Sequence, residues 1–302
     1  MDVGVIGVGA MGKNHVRVYS ELRPVSGLYV YDVNNEASRA VANREGAMAC
    51  ETLDELLRNV EAVSICVPTP FHQNVAQNVL PKGIHILMEK PICGSLAEAD
   101  ALLPLIDDGI IFGVGHIERF NPIVSEIKRI SREPRYVEMN RHNPASQRVT
   151  GASVVEDLMI HDIDILRHVL FDSSYTLSSA GTHDVASVLF RFGPTAAYLS
   201  ASRKSSKKIR RIYIEEDELT IEGDFMNQEI FTYWKPETYQ VENERYVQEN
   251  IIEKVMVNKV EPLKVELKTF LECVKEGREF PVTADQGYEN LALSEQIRAG
   301  LT

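Results

Sequence analysis

The sequence predicts an α/β protein in two parts. An N-terminal doubly wound parallel sheet is followed by a C-terminal α/β domain with an open, mostly antiparallel sheet. Three observations carry this prediction. A short apolar run at the N-terminus opens directly into spaced glycines. Apolar runs then alternate with helix-periodic stretches through the first ~117 residues, the pattern of βαβ units. Beyond a long helix near residue 160, short alternating segments punctuated by turn residues read as antiparallel strands.

The first strand covers residues 2–7 and feeds Gly7, Gly9 and Gly12 in G-x-G-x-x-G spacing. A helix follows, roughly Met11 to Leu22. Residues Val25 to Asp32 form a second strand ending in an acid. This order places a dinucleotide. Gly7 permits a tight turn, Gly9 lets the backbone approach a pyrophosphate, and Gly12 lets the helix pack close to the strand. The helix start at Ala10 and Met11 offers unpaired N–H groups and a partial positive charge to phosphate. Asp32 can accept from a ribose 2′-OH and would repel a 2′-phosphate, while Val33, Asn34 and Asn35 supply no cation. The acid therefore favours NAD over NADP. The competing reading is an α/β turn that binds nothing.

Further apolar runs at 61–67, 84–88 and 110–115 supply the remaining strands, and the stretch 47–50 is too short to assign. Ligands bind open parallel sheets outside the carboxyl ends of the strands. That edge carries Pro68, Thr69 and His72 after one run, and Glu89, Lys90 and Pro91 after the next. A Lys held between an apolar strand and a Pro is fixed in place, and desolvation there would lower its pKa. The alternative is a surface Lys paired with Glu89.

In the second half, an amphipathic helix spans about 152–170. Asp157, His161 and Asp164 fall at i, i+4 and i+7 and share a face. Leu158 and Ile165 lie on an adjacent core-facing stripe. A carboxylate four residues before a His can orient the imidazole, the commonest general base. Asp162 and Arg167 read as solvated charges and His168 as structural. No H-E-x-x-H spacing and no cysteine pair is present, so no metal is expected. Strands are predicted at 175–182, 185–192, 195–203, 209–215, 217–222 and 228–233, and helices at 261–276 and 284–299. One sheet face should pack on the long helix, and a homo-oligomer interface is the simplest cover for the other. The basic run from Arg203 to Arg211 reads as a solvated hairpin loop, or, more sharply, as an attractor of an anionic substrate.

The 302 residues carry a net charge of −12, which argues against nucleic acid as a partner. No apolar run approaches the ~18 residues of a membrane span. The absence of a signal peptide, and four cysteines (Cys50, Cys66, Cys93, Cys273) without CxxC spacing, point to a reducing cytoplasm.

Taken in order, Gly7-x-Gly9-x-x-Gly12, Thr69-Pro70-x-His72, Glu89-Lys90-Pro91 and Asp157-x-x-x-His161-x-x-Asp164 resemble the glucose–fructose oxidoreductase/inositol dehydrogenase (Gfo/Idh/MocA) family across essentially the whole chain. The resemblance implies a Rossmann domain over 1–117. It implies a substrate and oligomerisation domain over 118–302, with the last helix able to pack back on the first. It further implies NAD-dependent oxidation of a secondary alcohol on a sugar, nucleotide sugar or polyol. The cofactor would meet Gly7, Gly9, Ala10, Met11, Gly12, Asp32, Pro68, Thr69, His72, Glu89 and Lys90. Lys90, Asp157 and His161 would be catalytic, with the choice of Lys90 or His161 as base left open. Many members have Gly where this chain has Met159, which affects pocket shape. The segment Arg119-Phe120-Asn121-Pro122 looks like the branch acting on nucleotide-linked amino sugars. The N-terminal run looks like archaeal members that oxidise UDP-N-acetylglucosamine at C3. In that reading Arg119 or Asn121 contacts substrate, and Asn121-Pro122 can equally cap a helix. Inositol or free-sugar oxidation, and a non-catalytic NAD-binding regulator, are the alternatives.

Overall fold

The structure, a computed structural model, describes residues 1–144, 151–235, 239–242, 245–248 and 251–302. The chain forms two compact units: Met1–Phe120 with Glu261–Ala292, and Asn121–Val260 with Leu293–Thr302. The first boundary falls three residues beyond the 117/118 break read from the sequence. Residues 261–292 group with the first unit rather than the second. Packing explains this. Leu263, Leu267, Phe270 and Leu271 belong to the first unit's core. Phe280 meets both Phe120 and Phe270, and Val114 N–H donates to Val282 O at 3.0 Å.

The first unit is a six-stranded sheet in the order β3-β2-β1-β4-β5-β6. Its strands are β1 (Asp2–Ile6), β2 (Gly27–Tyr31), β3 (Met48–Ala49), β4 (Ala62–Ile65), β5 (His85–Glu89) and β6 (Phe112–Gly115). All pairings are parallel. Val3, Val5, Val63, Ile65, Ile86 and Leu87 are fully buried, as strands covered on both faces require. Between the strands run α1 (Ala10–Glu21), α2 (Asn35–Glu45), α3 (Leu53–Leu57), α4 (His72–Val79) and α5 (Leu96–Leu102). Asn34, Thr52 and Ser95 cap α2, α3 and α5 with side-chain oxygens. The strand order reverses between β1 and β4, which creates a switch-point crevice at their carboxyl ends.

The second unit opens with α6 (Pro122–Ile130) and β7 (Tyr136–His142). Its eight-stranded sheet has the order β16-β13-β12-β11-β7-β10-β9-β8. The strands are β8 (Thr176–Thr182), β9 (Val185–Phe192), β10 (Thr195–Ser202), β11 (Ile209–Glu215), β12 (Leu219–Asp224), β13 (Glu229–Trp234) and β16 (Ile251–Val255). In a separate two-stranded sheet, β14 (Tyr239–Glu242) pairs antiparallel with β15 (Arg245–Gln248). All sheet pairings are antiparallel except β10 with β7. Strand β7, central in the sheet, has no counterpart among the segments predicted from sequence. Its polar residues Glu138, Asn140, Arg141 and His142 mask the alternation, although Val137 and Met139 are fully buried.

The predicted helix over 152–170 is present but irregular. A π turn at Val155–Met159 leads into α7 (Ile160–Ile165), and a second π turn follows at Leu166–Leu170. Ser153 and Glu156 form a reciprocal capping box at its start, with Ser153 N–H donating to Glu156 Oε2 at 2.8 Å. Val155, Leu158, Ile163 and Leu166 pack with Val137, Met139, Leu199, Ile212 and Ile214 of the sheet. The expectation of a solvated Asp162 is corrected. It is 1% exposed, and its Oδ1 accepts from Arg141 Nε at 2.9 Å and Nη2 at 2.7 Å. Arg167 is not simply solvated either: it donates to Phe171 O and Ser173 O beyond the helix end. On the face away from the helix, Tyr198 and Tyr213 are half-buried and Leu189 is 51% exposed. Two more helices complete the chain, α8 (Pro262–Glu276) and α9 (Ala284–Ala299).

Candidate active site

In the first unit, the glycine turn follows from close backbone contact. Gly7 has φ +89°, and a Cβ there would lie 2.8 Å from Val67 N. A Cβ on Gly12 would collide with the Gly7 carbonyl. Gly9 differs, because a Cβ there would meet no protein atom within 4 Å. Packing gives no reason for glycine at 9, whereas the approach of a phosphate does. Ala10 and Met11 begin α1 beside it, where early helix N–H groups lack carbonyl partners within the helix. These residues fit a dinucleotide.

Asp32 also organises this loop. Its Oδ2 accepts from Val8 N–H at 2.7 Å and its Oδ1 from Asn34 N–H at 2.9 Å. A carboxylate has about four lone-pair sites, so further acceptance from a ribose is compatible with both bonds. Val33 beside it is open to solvent, and no cation stands at 33–35.

Beyond β4, Pro68 is exposed and Thr69 half-buried. His72, grouped with them in the sequence as a cofactor contact, is 1% exposed. Its Nδ1 lies 2.9 Å from Pro91 O and its Nε2 3.0 Å from Val67 O. The ring therefore lies between the loops after β4 and β5, within hydrogen-bond distance of a carbonyl of each. Burial lowers its pKa against the opposing pull of those carbonyls. A neutral imidazole donates through only one nitrogen.

Glu89 is buried at the end of β5. Its Oε1 lies 3.1 Å from His15 Nε2, and its Oε2 accepts from Lys90 N–H at 3.2 Å. Burial disfavours its charge, but the His15 hydrogen bond and the charges of His15 and Lys90 outweigh that and lower its pKa. His15, Cys66 and Glu89 offer an imidazole, a thiol and a carboxylate within 4.8 Å of one another. Burial first, then Glu89 and Glu266, push the thiol well up. A protonated thiol is a poor metal ligand. The cluster's visible work is to hold Glu89, and so the main chain of Lys90. Lys90 itself is half-buried. Arg119, in a short turn (Ile117–Phe120), reaches Gln286 Oε1 at 3.4 Å.

In the second unit, Asn121 is buried at the start of α6. It caps α6 by accepting from Ile123 N–H, and its amide donates to Phe225 O at 3.1 Å. Asp157 lies in the first π turn, and His161 in α7 four residues on; both are partly exposed. Asp164 is buried and His168 half-buried. Beside the helix, Arg203 Nη2 donates to Asp157 Oδ2 at 3.2 Å, and the Arg141 guanidinium, paired with Asp162, lies over the Phe225 ring.

The structure thus gathers Gly7, Gly9, Gly12, Asp32, Pro68, Thr69, Glu89 and Lys90 at strand ends of the first unit. Asp157 and His161 share one helix of the second. His15 and Arg141 escaped the sequence reading, which took Arg203 only as the first member of the basic run. Alternation through Ala197, Leu199 and Ala201 is the signal that places Arg203 on the helix-facing side of β10.

A parallel sheet with a glycine turn, joined to an antiparallel sheet bearing an Asp/His helix, defines a nicotinamide-type oxidoreductase. Residues 1–116 match the family model described as oxidoreductase family, NAD-binding Rossmann fold. UDP-N-acetylglucosamine 3-dehydrogenase of Acidithiobacillus ferrooxidans is 32% identical over 242 residues, 77% of each chain. A solved structure of that enzyme matches with a TM-score of 0.89 at 29% identity, over 100% of this chain and 97% of the other. Inositol 2-dehydrogenase of Rhizobium meliloti is 24% identical over 321 residues, 97% of this chain and 94% of its own. The chain belongs to the Gfo/Idh/MocA oxidoreductase family.

Proposed function

We propose that the protein is an NAD-dependent dehydrogenase that oxidises the C3 hydroxyl of UDP-N-acetylglucosamine to the 3-keto sugar. The observation that carries this reading is the 32% identity to an enzyme of that name, in a chain that carries Lys90, Asp157 and His161. NAD, when bound, supplies the hydride acceptor. The turn at Gly7, Gly9 and Gly12 holds its pyrophosphate through the N–H groups of α1, and Asp32 accepts from its ribose. Pro68, Thr69 and the Glu89-Lys90 segment form the remaining contact edge. In this mechanism His161 takes the hydroxyl proton, oriented by Asp157, and Lys90 donates a hydrogen bond to the substrate oxygen. A positioned base of this kind contributes typically ~10²–10⁴-fold. Arg119 and the basic run including Lys207, Lys208 and Arg211 supply positive charge suited to a diphosphate.

Myo-inositol is the second candidate substrate, favoured by the inositol 2-dehydrogenase match across 97% of this chain. The outward sheet face, with Leu189, Tyr198 and Tyr213, supports homo-oligomer formation. The cysteines Cys50, Cys66, Cys93 and Cys273 form no disulfide, which suits a reducing compartment. Among the described residues, no helix is long and apolar enough to cross a membrane. The test is NAD⁺ reduction with purified protein across UDP-N-acetylglucosamine, UDP-glucose, glucose and myo-inositol. Turnover of UDP-N-acetylglucosamine above the others is the expected result, and preference for inositol would replace the substrate while keeping the chemistry.

A further inference from the structure

By composition the run from Arg203 to Arg211 is a solvated loop, but its first member is not solvated. Arg203 is 2% exposed, directly after β10 and in phase with the buried residues Ala197, Leu199 and Ala201. Its Nη2 donates to Ala152 O at 2.9 Å, Ser153 O at 3.1 Å and Asp157 Oδ2 at 3.2 Å. Its Nη1 lies 3.6 Å from Asp184 Oδ1. Lys204, by contrast, is largely exposed and pairs with Asp184 Oδ2 at 2.8 Å. One guanidinium therefore binds both the two carbonyls that precede the helix and the carboxylate on its first turn. The three acceptors share the two hydrogens of Nη2, and the planar guanidinium holds that nitrogen in a fixed place that a flexible lysine stem does not define.

We propose that Arg203 is the positioning residue of the Asp157–His161 pair, holding the Asp157 carboxylate in register with the imidazole four residues on. This rests on the reading of His161 as the proton acceptor. Arg203 acts twice. It fixes the Asp157 side chain against a π turn, where a regular helix would not by itself define that orientation. It also places a positive charge against the Asp157 carboxylate.

Removing the guanidinium takes a positive charge from the helix turn four residues before His161. Loss of a nearby cation favours the imidazolium and raises its pKa. Other charged groups around this helix stay constant in such a variant: Asp184 and Lys204 near Arg203, the Arg141–Asp162 pair, Glu156 with Arg298 of α9, and Asp164 and His168 on the helix itself.

The test compares wild type with Arg203→Met, Arg203→Lys and Asp184→Asn, by steady-state kinetics over pH and by NMR titration of the His161 ring. For Arg203→Met, kcat is expected to fall ~10–100-fold with KM within ~3-fold, as for an interaction made mainly in the transition state. The acidic limb of kcat and the His161 titration should both move to higher pH. Arg203→Lys keeps the charge but loses the fork, so kcat should fall ~3–10-fold with the limb in place. Asp184→Asn should stay within ~2-fold, because it touches only the outer side of Arg203. A folded Arg203→Met with wild-type kcat and pH profile overturns the proposal. If Arg203→Met does not fold by circular dichroism, Arg203→Lys decides, and an unchanged kcat there overturns it too. The NMR titration needs no substrate. An upward move of His161 in Arg203→Met, beside a wild type silent on every sugar, supports the role of Arg203 and sinks the dehydrogenase reading. An active wild type with His161 unmoved sinks the role of Arg203 alone.

Discussion

Lys90 illustrates how a single side chain is prepared by its neighbours. Its backbone N–H is held by Glu89, and Glu89 is held by His15. The loop on which it sits is tied at Pro91 O by His72. Lys90→Met should therefore remove a cation from an otherwise intact loop. A fall in kcat of ~10²–10⁴-fold, with NAD⁺ affinity within a few-fold by fluorescence titration, is the expected outcome. Asp32 has a double role, so Asp32→Ala should cost more than a ribose contact. It should raise the Kd for NAD⁺ roughly tenfold and narrow the preference over NADP⁺, measured with both cofactors side by side. The glycines and Asp32 were legible in the sequence because main-chain geometry demands them at fixed spacing. His72 was legible as a motif member but its burial was not, because burial is invisible from the residue type alone.

At the scale of elements, the helix from Val155 to Leu170 departs most from its sequence. Its apolar spacing identified the helix. The π turns, the buried Asp162 and the contribution of Arg203 were not legible, since each depends on a partner strand. Strand β7 is the main reason. Its Arg141 sits between Ala201 of β10 and Arg210 of β11, facing Asp162, and no local pattern announces a charged inner face. Asp162→Ala leaves Arg141 buried without its carboxylate. A loss of ~3–5 kcal/mol in unfolding free energy is predicted by chemical denaturation. Replacing both members with apolar residues of similar volume should recover much of that loss.

The loops of the first unit respond to pH in a direction set by His72 and Glu89. Burial lowers the pKa of His72, so the unfolded chain binds its proton first as pH falls. Its contribution is fully present above the unfolded value near 6.5 and is lost as pH drops through the folded value. Glu89 is lowered in the same sense despite its burial, through His15 and Lys90, and acts in a more acidic window. Denaturation midpoints should thus decline on acidification below about pH 6.5, and His72→Gln should flatten the upper part of that slope. An unchanged slope in that variant would remove His72 from the account.

Over the whole molecule, composition and alternation were enough to read two α/β parts, a parallel sheet followed by a mostly antiparallel one. They did not show that residues 261–292 complete the first unit. That grouping rests on contacts such as Phe120 with Phe280, far apart in sequence. Helical periodicity located α8 and α9 but carried no information on which core they fill. The outward face of the large sheet makes a further prediction. Leu189→Glu on β9 should lower the mass measured by light scattering to that of one chain if this face joins copies, and leave it unchanged if another surface does.

The most direct measurement is the formation of reduced nicotinamide by the purified protein with NAD⁺ and UDP-N-acetylglucosamine, run beside NADP⁺ and myo-inositol. The account predicts turnover with NAD⁺ and the nucleotide sugar, weak turnover with NADP⁺, and loss of both in Lys90→Met. No turnover of the nucleotide sugar, or equal turnover in Lys90→Met, would contradict it.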